Sequence, residues 1–209
     1  MIDPQLLNRI ADALAADGYI ILDQVFPVEW LSSLENRAKN LRPEQFKSAG
    51  IGRELARQHD VAIRNDEIRW IEKNHPVDTQ YLAWMEQLRL ELNRRLYLGL
   101  FDFESHYSHY APGAYYKKHL DAFRGQSNRI VSTILYLNKN WQPVDGGELR
   151  VYAKDGTCIL MDILPELGRV VIFLSDVFPH EVMQAHRDRY SIAGWFRSNN
   201  SSSSRVDPA

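Results

Sequence analysis

The chain has 209 residues, of which 44% are hydrophobic and 25% are charged. This length and composition are typical of one globular domain with a substantial core, and two full domains would be a tight fit. Lysine and arginine total 25 and aspartate and glutamate total 27, and the formal charge of −2 excludes a general positive field that would attract nucleic acid. The single cysteine, Cys158, excludes an intrachain disulfide and a cysteine-rich zinc site, and we interpret it as a small core residue.

The sequence also bears on cellular location. Nothing near the N-terminus resembles a signal peptide, and no apolar run approaches the roughly 20 residues that a membrane-spanning helix needs. A chain with one cysteine suits a reducing compartment. We therefore expect a cytoplasmic protein with no membrane partner and no nucleic-acid partner.

The first hundred residues are predicted to be mainly helical. Asp3 and Pro4 are typical of a helix N-cap followed by proline at the first helical position, and apolar residues then recur at four-residue spacing. A polar, weakly periodic stretch later in this half predicts an exposed, mobile loop. In chain order we predict a helix from Pro4 to about Gly18, a strand at 19–22, a helix after Pro27, a loop at 42–60 and a helix from about Thr79 to Leu98.

After Leu100 the sequence changes to short segments rich in valine, isoleucine, tyrosine and phenylalanine, separated by turn residues. Eight such segments, with no helix between them, favour an antiparallel sandwich or barrel. They are FESHYSHY, AYYKKHLDAF, RIVSTILYLN, GELRVYA, CILMDIL, RVVIFL, HEVMQA and RYSIAGWF.

The predicted fold class is therefore α+β with a mainly β core. We expect a double-stranded β-helix, or jelly roll, with the N-terminal helices packed on one side. A single domain at 1–199 would comprise a helical support at 1–100 and a jelly-roll core at 101–197. The serine-rich tail at 200–209 is predicted to be disordered.

A candidate metal site begins with His119 and Asp121, which are separated by one residue. In a strand both side chains project from the same face. His180, which follows a buried-looking strand and begins the next one, offers a third ligand, whereas His106 and His109 lie three apart on one strand and face opposite ways. Two histidines and one carboxylate form the facial arrangement of non-haem Fe(II) oxygenases. The alternative is a chance His-x-Asp pair and a histidine at a polar rim.

Arg189 follows His180 by nine residues in the strand RYSIAGWF. Strand alternation places Arg189, Ser191, Ala193 and Trp195 on one face. A buried arginine is costly unless it meets an anion, and its planar guanidinium pairs bidentately with a carboxylate. No acidic residue in the sequence is an obvious partner, which favours a bound dicarboxylate. The alternative is a surface arginine on an edge strand.

These features together resemble the 2-oxoglutarate/Fe(II)-dependent oxygenases. Within that superfamily they resemble the prolyl 4-hydroxylase group, which includes the animal oxygen-sensing HIF prolyl hydroxylases and their bacterial relatives. The resemblance runs through IRNDEIRWIE (63–72), HYAPGAYYKKH (109–119), HLD (119–121), YLNKNW (136–141), GGELRVY (146–152), FLSDVFPHEV (173–182) and RYSIAGWF (189–196).

The resemblance implies roles for individual residues. It implies that the iron ligands are His119, Asp121 and His180. It implies that 2-oxoglutarate is bound by Arg189, Tyr136 and Tyr110, within a pocket wall that includes Leu149, Val182 and Trp195. It implies substrate contacts from Arg129 near the entrance and from Arg64 and Asp66 in a mobile loop region that covers a bound peptide.

The resemblance also implies a function. We predict an Fe(II) dioxygenase that uses 2-oxoglutarate and O2 to hydroxylate a prolyl residue in a protein, releasing succinate and CO2, with ascorbate supporting activity. A protein of the translation apparatus is the predicted type of substrate. The alternatives are an oxygenase of a small molecule such as free proline, and a non-enzymatic, cupin-like metal or ligand sensor. The long loop at 42–66 favours a polymeric substrate, and a sensor would have no need for Arg189.

Overall fold

Two antiparallel sheets form the centre of the structure, a computed structural model that describes residues 2–41, 43–48, 63–122 and 128–199. The predicted tail at 200–209 and most of the predicted loop at 42–60 lie outside the described residues. The helices within the described ranges are α1 (Pro4–Ala16), α2 (Val28–Lys39) and α3 (Pro76–Leu96), with single 3-10 turns at Pro43–Gln45 and Pro143–Asp145. The strands are β1 (Tyr19–Leu22), β2 (Lys47–Ser48), β3 (Glu67–Trp70), β4 (Leu100–Tyr110), β5 (Tyr116–His119), β6 (Arg129–Tyr136), β7 (Leu149–Tyr152), β8 (Ile159–Ile163), β9 (Val170–Leu174), β10 (His180–Val182) and β11 (Arg189–Ser198).

The helix boundaries follow from their caps. The Asp3 side chain accepts a hydrogen bond from the backbone N–H of Gln5 at 3.0 Å, and α1 begins at Pro4 as predicted. Helix α3 begins at Pro76, three residues before its predicted start, because the His75 side chain caps the N–H of Val77. No helix of the described residues is long and apolar enough to cross a bilayer.

The sheets give the predicted jelly roll. Within the described residues the larger sheet has seven strands in the order β1-β9-β6-β11-β4-β3-β2, and the smaller sheet has four in the order β5-β10-β7-β8. All eight strands predicted after Leu100 are present, and the fold class is confirmed.

Alternation along the strands divides the core into two layers. One face of the larger sheet packs against α1, α2 and α3, where Ile192 and Phe196 of β11 are fully buried. The other face packs against the smaller sheet, where Tyr136 of β6 contacts the cluster that contains Leu149 of β7. The helices therefore cover one side of the larger sheet, and the candidate site lies between the two sheets.

The first hundred residues contribute more strands than predicted. Strand β1 was expected, but β2 and β3 also join the larger sheet, and β3 pairs with β4 in a register that joins Trp70 to His106. The description of residues 1–100 as a helical support therefore omitted part of the sheet. Cys158 is exposed, which corrects its interpretation as a core residue.

Candidate active site

Three side chains that can bind a metal come together between the sheets. His119 and His180 are register partners on β5 and β10. Asp121 Oδ1 lies 3.7 Å from His119 Nε2, and Asp121 Oδ2 lies 3.7 Å from His180 Nε2. The three candidate ligand atoms all lie within 4.8 Å of one another. The carboxylate therefore faces both imidazoles, and the predicted grouping of His119, Asp121 and His180 is observed.

The position of Asp121 has a structural cause other than the predicted one, which was strand alternation. Strand β5 ends at His119, and Asp121 lies in a bend two residues beyond it. Alternation along a strand therefore does not explain why the two side chains meet. Instead, the Ser132 hydroxyl of β6 donates a hydrogen bond to Asp121 Oδ2 at 2.6 Å and draws the carboxylate toward the site.

The two histidines are oriented for coordination through Nε2. The Nδ1 atom of His119 lies 2.8 Å from the carbonyl of Lys117, and the Nδ1 atom of His180 lies 3.0 Å from the carbonyl of Phe178. A carbonyl oxygen only accepts, so each Nδ1 carries a proton, and Nε2 is the ring nitrogen that each histidine can offer to a metal. Burial lowers the pKa of His119 to about 3, and the nearby His180 adds to this effect. The imidazole of His119 is therefore neutral.

This donor set fits a non-haem Fe(II) ion. Two imidazoles and one carboxylate, all on one side, leave the remaining coordination positions open. Burial disfavours the charged form of Asp121, but the positive charge of Arg129 and the hydrogen bond from Ser132 hold its pKa below the usual value, so it remains a carboxylate. Small exposed fractions of the side chains of His119 (16%) and Asp121 (10%) leave the site accessible from the cavity.

A buried cation lies at the other end of the cavity. Arg189 is 1% exposed, its Nε donates to the carbonyl of Gly147 at 2.8 Å, and its guanidinium lies over the rings of Tyr110 and Tyr136. Among the described residues, no carboxylate lies within ion-pair distance of Arg189. The predicted inward orientation is observed, and the charge still needs an anion.

Tyr136 adds a hydroxyl beside this cation. Its hydroxyl oxygen is buried and has no hydrogen-bond partner in the described part of the structure. Burial raises the pKa of Tyr136 to about 12, although the nearby Arg189 opposes the rise, so the hydroxyl keeps its proton. An unneutralised guanidinium and an unpaired hydroxyl together fit one carboxylate of a dicarboxylate ligand.

A cavity of about 570 Å³, including its part open to solvent, connects the two ends. The predicted site residues that line it are His119, Asp121, His180, Arg189, Tyr110, Leu149, Val182, Trp195, Arg129 and Arg64. Tyr136 lies just behind the lining, against Arg189.

Two arginines stand at the rim. Arg129 lies 3.6 Å above the centre of the Trp195 ring and also pairs with Glu104. Arg64 lies 4.5 Å above the ring of Tyr116. Cation–π contacts of this kind hold both guanidinium groups beside the cavity. Their roles as substrate contacts stay predictions.

The placement of Asp66 revises its predicted role. Its side chain is fully buried and accepts two hydrogen bonds from Arg64, at 2.6 and 2.9 Å, and it does not line the cavity. The backbone beside Asp66 was predicted to belong to a mobile loop that covers a bound peptide. At Ile63 this backbone is instead tied to β5, because the N–H of Lys117 donates a hydrogen bond to the carbonyl of Ile63 at 2.9 Å. Asp66 therefore positions Arg64, and the predicted direct contact between Asp66 and a substrate is not expected from this placement.

The sequence interpretation missed a further cavity residue, His106. It lines the cavity, its Nδ1 lies 3.0 Å from the hydroxyl of Ser108, and its ring contacts Trp70 and Trp195 edge-on or at a tilt. His109 faces the outside and pairs with Asp188, as the prediction of opposite faces required. The available signal was the alternation of His106, Ser108 and Tyr110 along β4.

The burial of His106 predicts a pH dependence of stability. Burial, then the charges of Arg64 and Arg129, lowers the pKa of His106 from 6.5 to about 3. Below pH 6.5 the imidazole of His106 is protonated in the unfolded chain but stays neutral in the folded protein. The free energy of unfolding therefore falls as the pH falls. At pH 5 the loss from this residue is about 2 kcal/mol.

Urea unfolding of the metal-free protein at pH 7.5 and 5.0 measures this loss. His106→Gln should lose less stability than the wild type over that interval, by about 2 kcal/mol. Other titrating groups are common to both proteins and cancel in the difference. Equal losses in the two proteins would show that His106 is protonated normally in the folded state.

Comparisons with known proteins agree with this geometry. Residues 105–197 match the family model of the 2OG-Fe(II) oxygenase superfamily. Human Egl nine homolog 1 is 34% identical over 144 residues, which are 64% of this chain and 33% of the human protein. The hypoxia-inducible factor prolyl hydroxylase of Caenorhabditis elegans is 42% identical over 86 residues, which are 40% of this chain and 12% of that protein. The chain thus spans a third or less of these two curated relatives.

Two solved structures are similar over nearly the whole chain. A prolyl-4-hydroxylase from Pseudomonas putida has a TM-score of 0.84 and 40% identity, with 93% of this chain and 100% of that chain covered. A prolyl hydroxylase from Trichoplax adhaerens, in complex with a peptide fragment of the hypoxia inducible factor oxygen degradation domain, has a TM-score of 0.82 and 25% identity over 93% and 90% of the two chains. The metal triad and the buried arginine agree with what these relatives are. The chain therefore belongs to the prolyl hydroxylase group of the 2-oxoglutarate/Fe(II)-dependent oxygenases.

Proposed function

We propose that this protein hydroxylates a prolyl residue in a protein substrate, using Fe(II), 2-oxoglutarate and O2 and releasing succinate and CO2. The observation that carries the proposal is one cavity with a His-Asp-His triad at one end and the unneutralised Arg189 at the other. The triad alone would suit many metal proteins. The buried guanidinium adds the need for an acidic co-substrate.

Each end of the cavity has its own task. His119, Asp121 and His180 would hold Fe(II), and when bound that ion supplies the activation of O2 coupled to decarboxylation of the 2-oxo acid. Arg189 and the protonated hydroxyl of Tyr136 hold the far carboxylate of 2-oxoglutarate, which fixes its orientation along the cavity. The apolar side chains of the wall exclude water from the reacting end.

The rim positions the substrate in this proposal. Arg129 is held by its stacking on Trp195, and Arg64 is held by Asp66 and by the ring of Tyr116. Guanidinium groups fixed in this way can donate hydrogen bonds to the carbonyl groups of an extended peptide at a small entropic cost. The peptide in the Trichoplax complex supports a segment of protein as the substrate class.

Three finer points belong to the same proposal. We propose a substrate within the translation apparatus, support of activity by ascorbate, and a cytoplasmic location. The resemblance of the motifs supports the first two, and the low cysteine content supports the third. Most of the loop at 42–66, whose length favours a polymeric substrate, lies outside the described residues.

The buried arginine separates this proposal from the sensor alternative. A sensor of metal alone would gain nothing from Arg189, and an unpaired buried cation is costly to keep. Oxidation of free proline needs the same triad and the same arginine, so the substrate itself must be tested.

The test incubates the protein with proteins of a cell lysate, Fe(II), 2-oxoglutarate and ascorbate. Mass spectrometry then searches for a gain of about 16 Da on proline, the mass of one added oxygen. Asp121→Ala serves as the control that retains the fold and loses the metal site. Modified prolyl residues that appear only with the wild type support the proposal. Succinate formation with free proline and with no protein substrate would favour the small-molecule alternative.

A further inference from the structure

We infer that Ser132 and Ser175 form a two-hydroxyl clamp that positions Asp121 for metal binding. The inference rests on the proposed function, because it gives the two serines a role toward the Fe(II) that the site would hold. Asp121 needs such a device because it lies beyond β5, whose last paired residue is His119. Nothing in the pairing of β5 fixes where a residue two positions further along points.

The two serines are buried and rigidly placed. Ser132 is 1% exposed and lies in β6, between β9 and β11 of the larger sheet. Ser175 is fully buried and follows β9 directly, and its N–H donates to the carbonyl of Ile130 at 3.0 Å. Their hydroxyl oxygens lie 2.9 Å apart. Ser132 is therefore fixed by a central strand, and Ser175 is fixed by the backbone hydrogen bond that holds the start of the turn after β9.

The direction of the hydrogen bonds follows from the chemistry of the groups. An ionised carboxylate only accepts, so Ser132 must donate its single hydroxyl proton to Asp121 Oδ2. With that proton in use, Ser132 can only accept from Ser175. The hydroxyls form a chain that runs from Ser175 through Ser132 to Asp121, and a bond to a charged acceptor is the stronger kind.

A backbone hydrogen bond also holds the bend that contains Asp121. The N–H of Ala122 donates to the carbonyl of Ser175 at 3.2 Å. Ser175 thus acts on the bend twice, through its hydroxyl by way of Ser132 and through its carbonyl. Together these contacts fix the position of the backbone and the rotation of the Asp121 carboxylate.

The fixed rotation is what makes the carboxylate useful as a ligand. One oxygen of Asp121 faces His119 and the other faces His180, each 3.7 Å from the imidazole Nε2. Without the bond from Ser132, the carboxylate is free to turn about its Cβ–Cγ bond and must be ordered when the metal binds. Outer-shell partners that pre-orient ligands in this way contribute about 10- to 100-fold to metal affinity.

Ser105 provides a matched control within the same sheet. It lies in β4, it is 3% exposed, and its hydroxyl has no hydrogen-bond partner among the described residues. Ser105→Ala therefore removes the same buried atom as Ser132→Ala without touching the site. Ser132→Thr keeps the hydroxyl, and threonine is well suited to a strand.

The experiment measures the dissociation constant for Fe(II) under anaerobic conditions, without 2-oxoglutarate, by competition with a chromophoric chelator. We expect Ser132→Ala to raise the constant about 10- to 100-fold, Ser132→Thr to restore most of the affinity, and Ser105→Ala to match the wild type. The visible absorption spectrum of the Co(II)-loaded protein, which reports ligand geometry, should change in Ser132→Ala alone. Thermal unfolding of the metal-free variants checks that each of them is folded.

The outcomes distinguish the clamp from the proposed function. If the wild type binds Fe(II) and Ser132→Ala binds it equally well with an unchanged Co(II) spectrum, the clamp inference is wrong and the proposed function stands. An equal loss of affinity in Ser132→Ala and Ser105→Ala would also overturn the inference, since it would show a general packing effect. A wild-type protein that binds no Fe(II) would overturn both.

Discussion

Replacing Arg189 by alanine is expected to raise the 2-oxoglutarate concentration for half-maximal turnover by about 100-fold. The guanidinium is 1% exposed, and no carboxylate of the described residues neutralises it. A bidentate pair with the far carboxylate of 2-oxoglutarate comprises two charge-assisted hydrogen bonds, whose combined loss is about 3 kcal/mol. Steady-state kinetics with varied 2-oxoglutarate measures this change, and Fe(II) affinity without 2-oxoglutarate should stay the same.

Two further measurements test whether the effect of Arg189→Ala comes from the lost pair with the co-substrate. Arg189→Lys retains the positive charge but loses the planar pair of donors, so it should lie between the wild type and Arg189→Ala. Thermal unfolding without 2-oxoglutarate checks that each variant is folded, because the substitution also removes the hydrogen bond from Arg189 Nε to the carbonyl of Gly147. An unchanged 2-oxoglutarate requirement in folded Arg189→Ala would show that another group holds the co-substrate.

Replacing Asp121 by alanine is expected to abolish turnover. Asp121 is the sole anionic member of the triad found among the described residues, and its two oxygens face His119 and His180. Fe(II) affinity should therefore fall by more than the roughly 10- to 100-fold that loss of an outer-shell partner costs. Anaerobic metal titration and succinate formation measure the two effects separately.

The control for Asp121 is another carboxylate of the same protein. Asp162 on β8 forms an ion pair with Arg150 on β7, and the side chain of Asp162 is 40% exposed. Asp162→Ala should therefore retain both metal binding and turnover. Turnover that survives in Asp121→Ala would remove the metal assignment. Lost turnover with intact Fe(II) binding would instead point to a different role for this carboxylate.

The parts of the fold and site that the sequence predicted depend on local periodicity. Alternation along RYSIAGWF placed Arg189 on the inner face, and the absence of an obvious acidic partner in the sequence identified it as a binding residue. The eight strands after Leu100 were also readable, because each is a short β-branched or aromatic run between turn residues. Both inferences need only neighbouring residues.

The parts that the sequence did not predict depend on contacts between distant segments. Asp121 meets the histidines through Ser132 rather than through strand alternation, and no local pattern indicates that hydrogen bond. Strand β3 is stable because it pairs with β4, although its own sequence lies in a polar stretch. The burial of Asp66 against Arg64, which removes Asp66 from the predicted substrate contacts, also has no signal in the local sequence.

We propose that one cavity binds Fe(II) through His119, Asp121 and His180 and binds 2-oxoglutarate through Arg189. An anaerobic titration that follows the visible charge-transfer absorption of Fe(II) chelated by a 2-oxo acid tests this proposal. We expect a band that saturates at one equivalent of Fe(II), is missing in Asp121→Ala, and needs about 100-fold more 2-oxoglutarate in Arg189→Ala. If the wild type shows no band, or if the band of Arg189→Ala has the same 2-oxoglutarate dependence as that of the wild type, the proposed binding site is wrong.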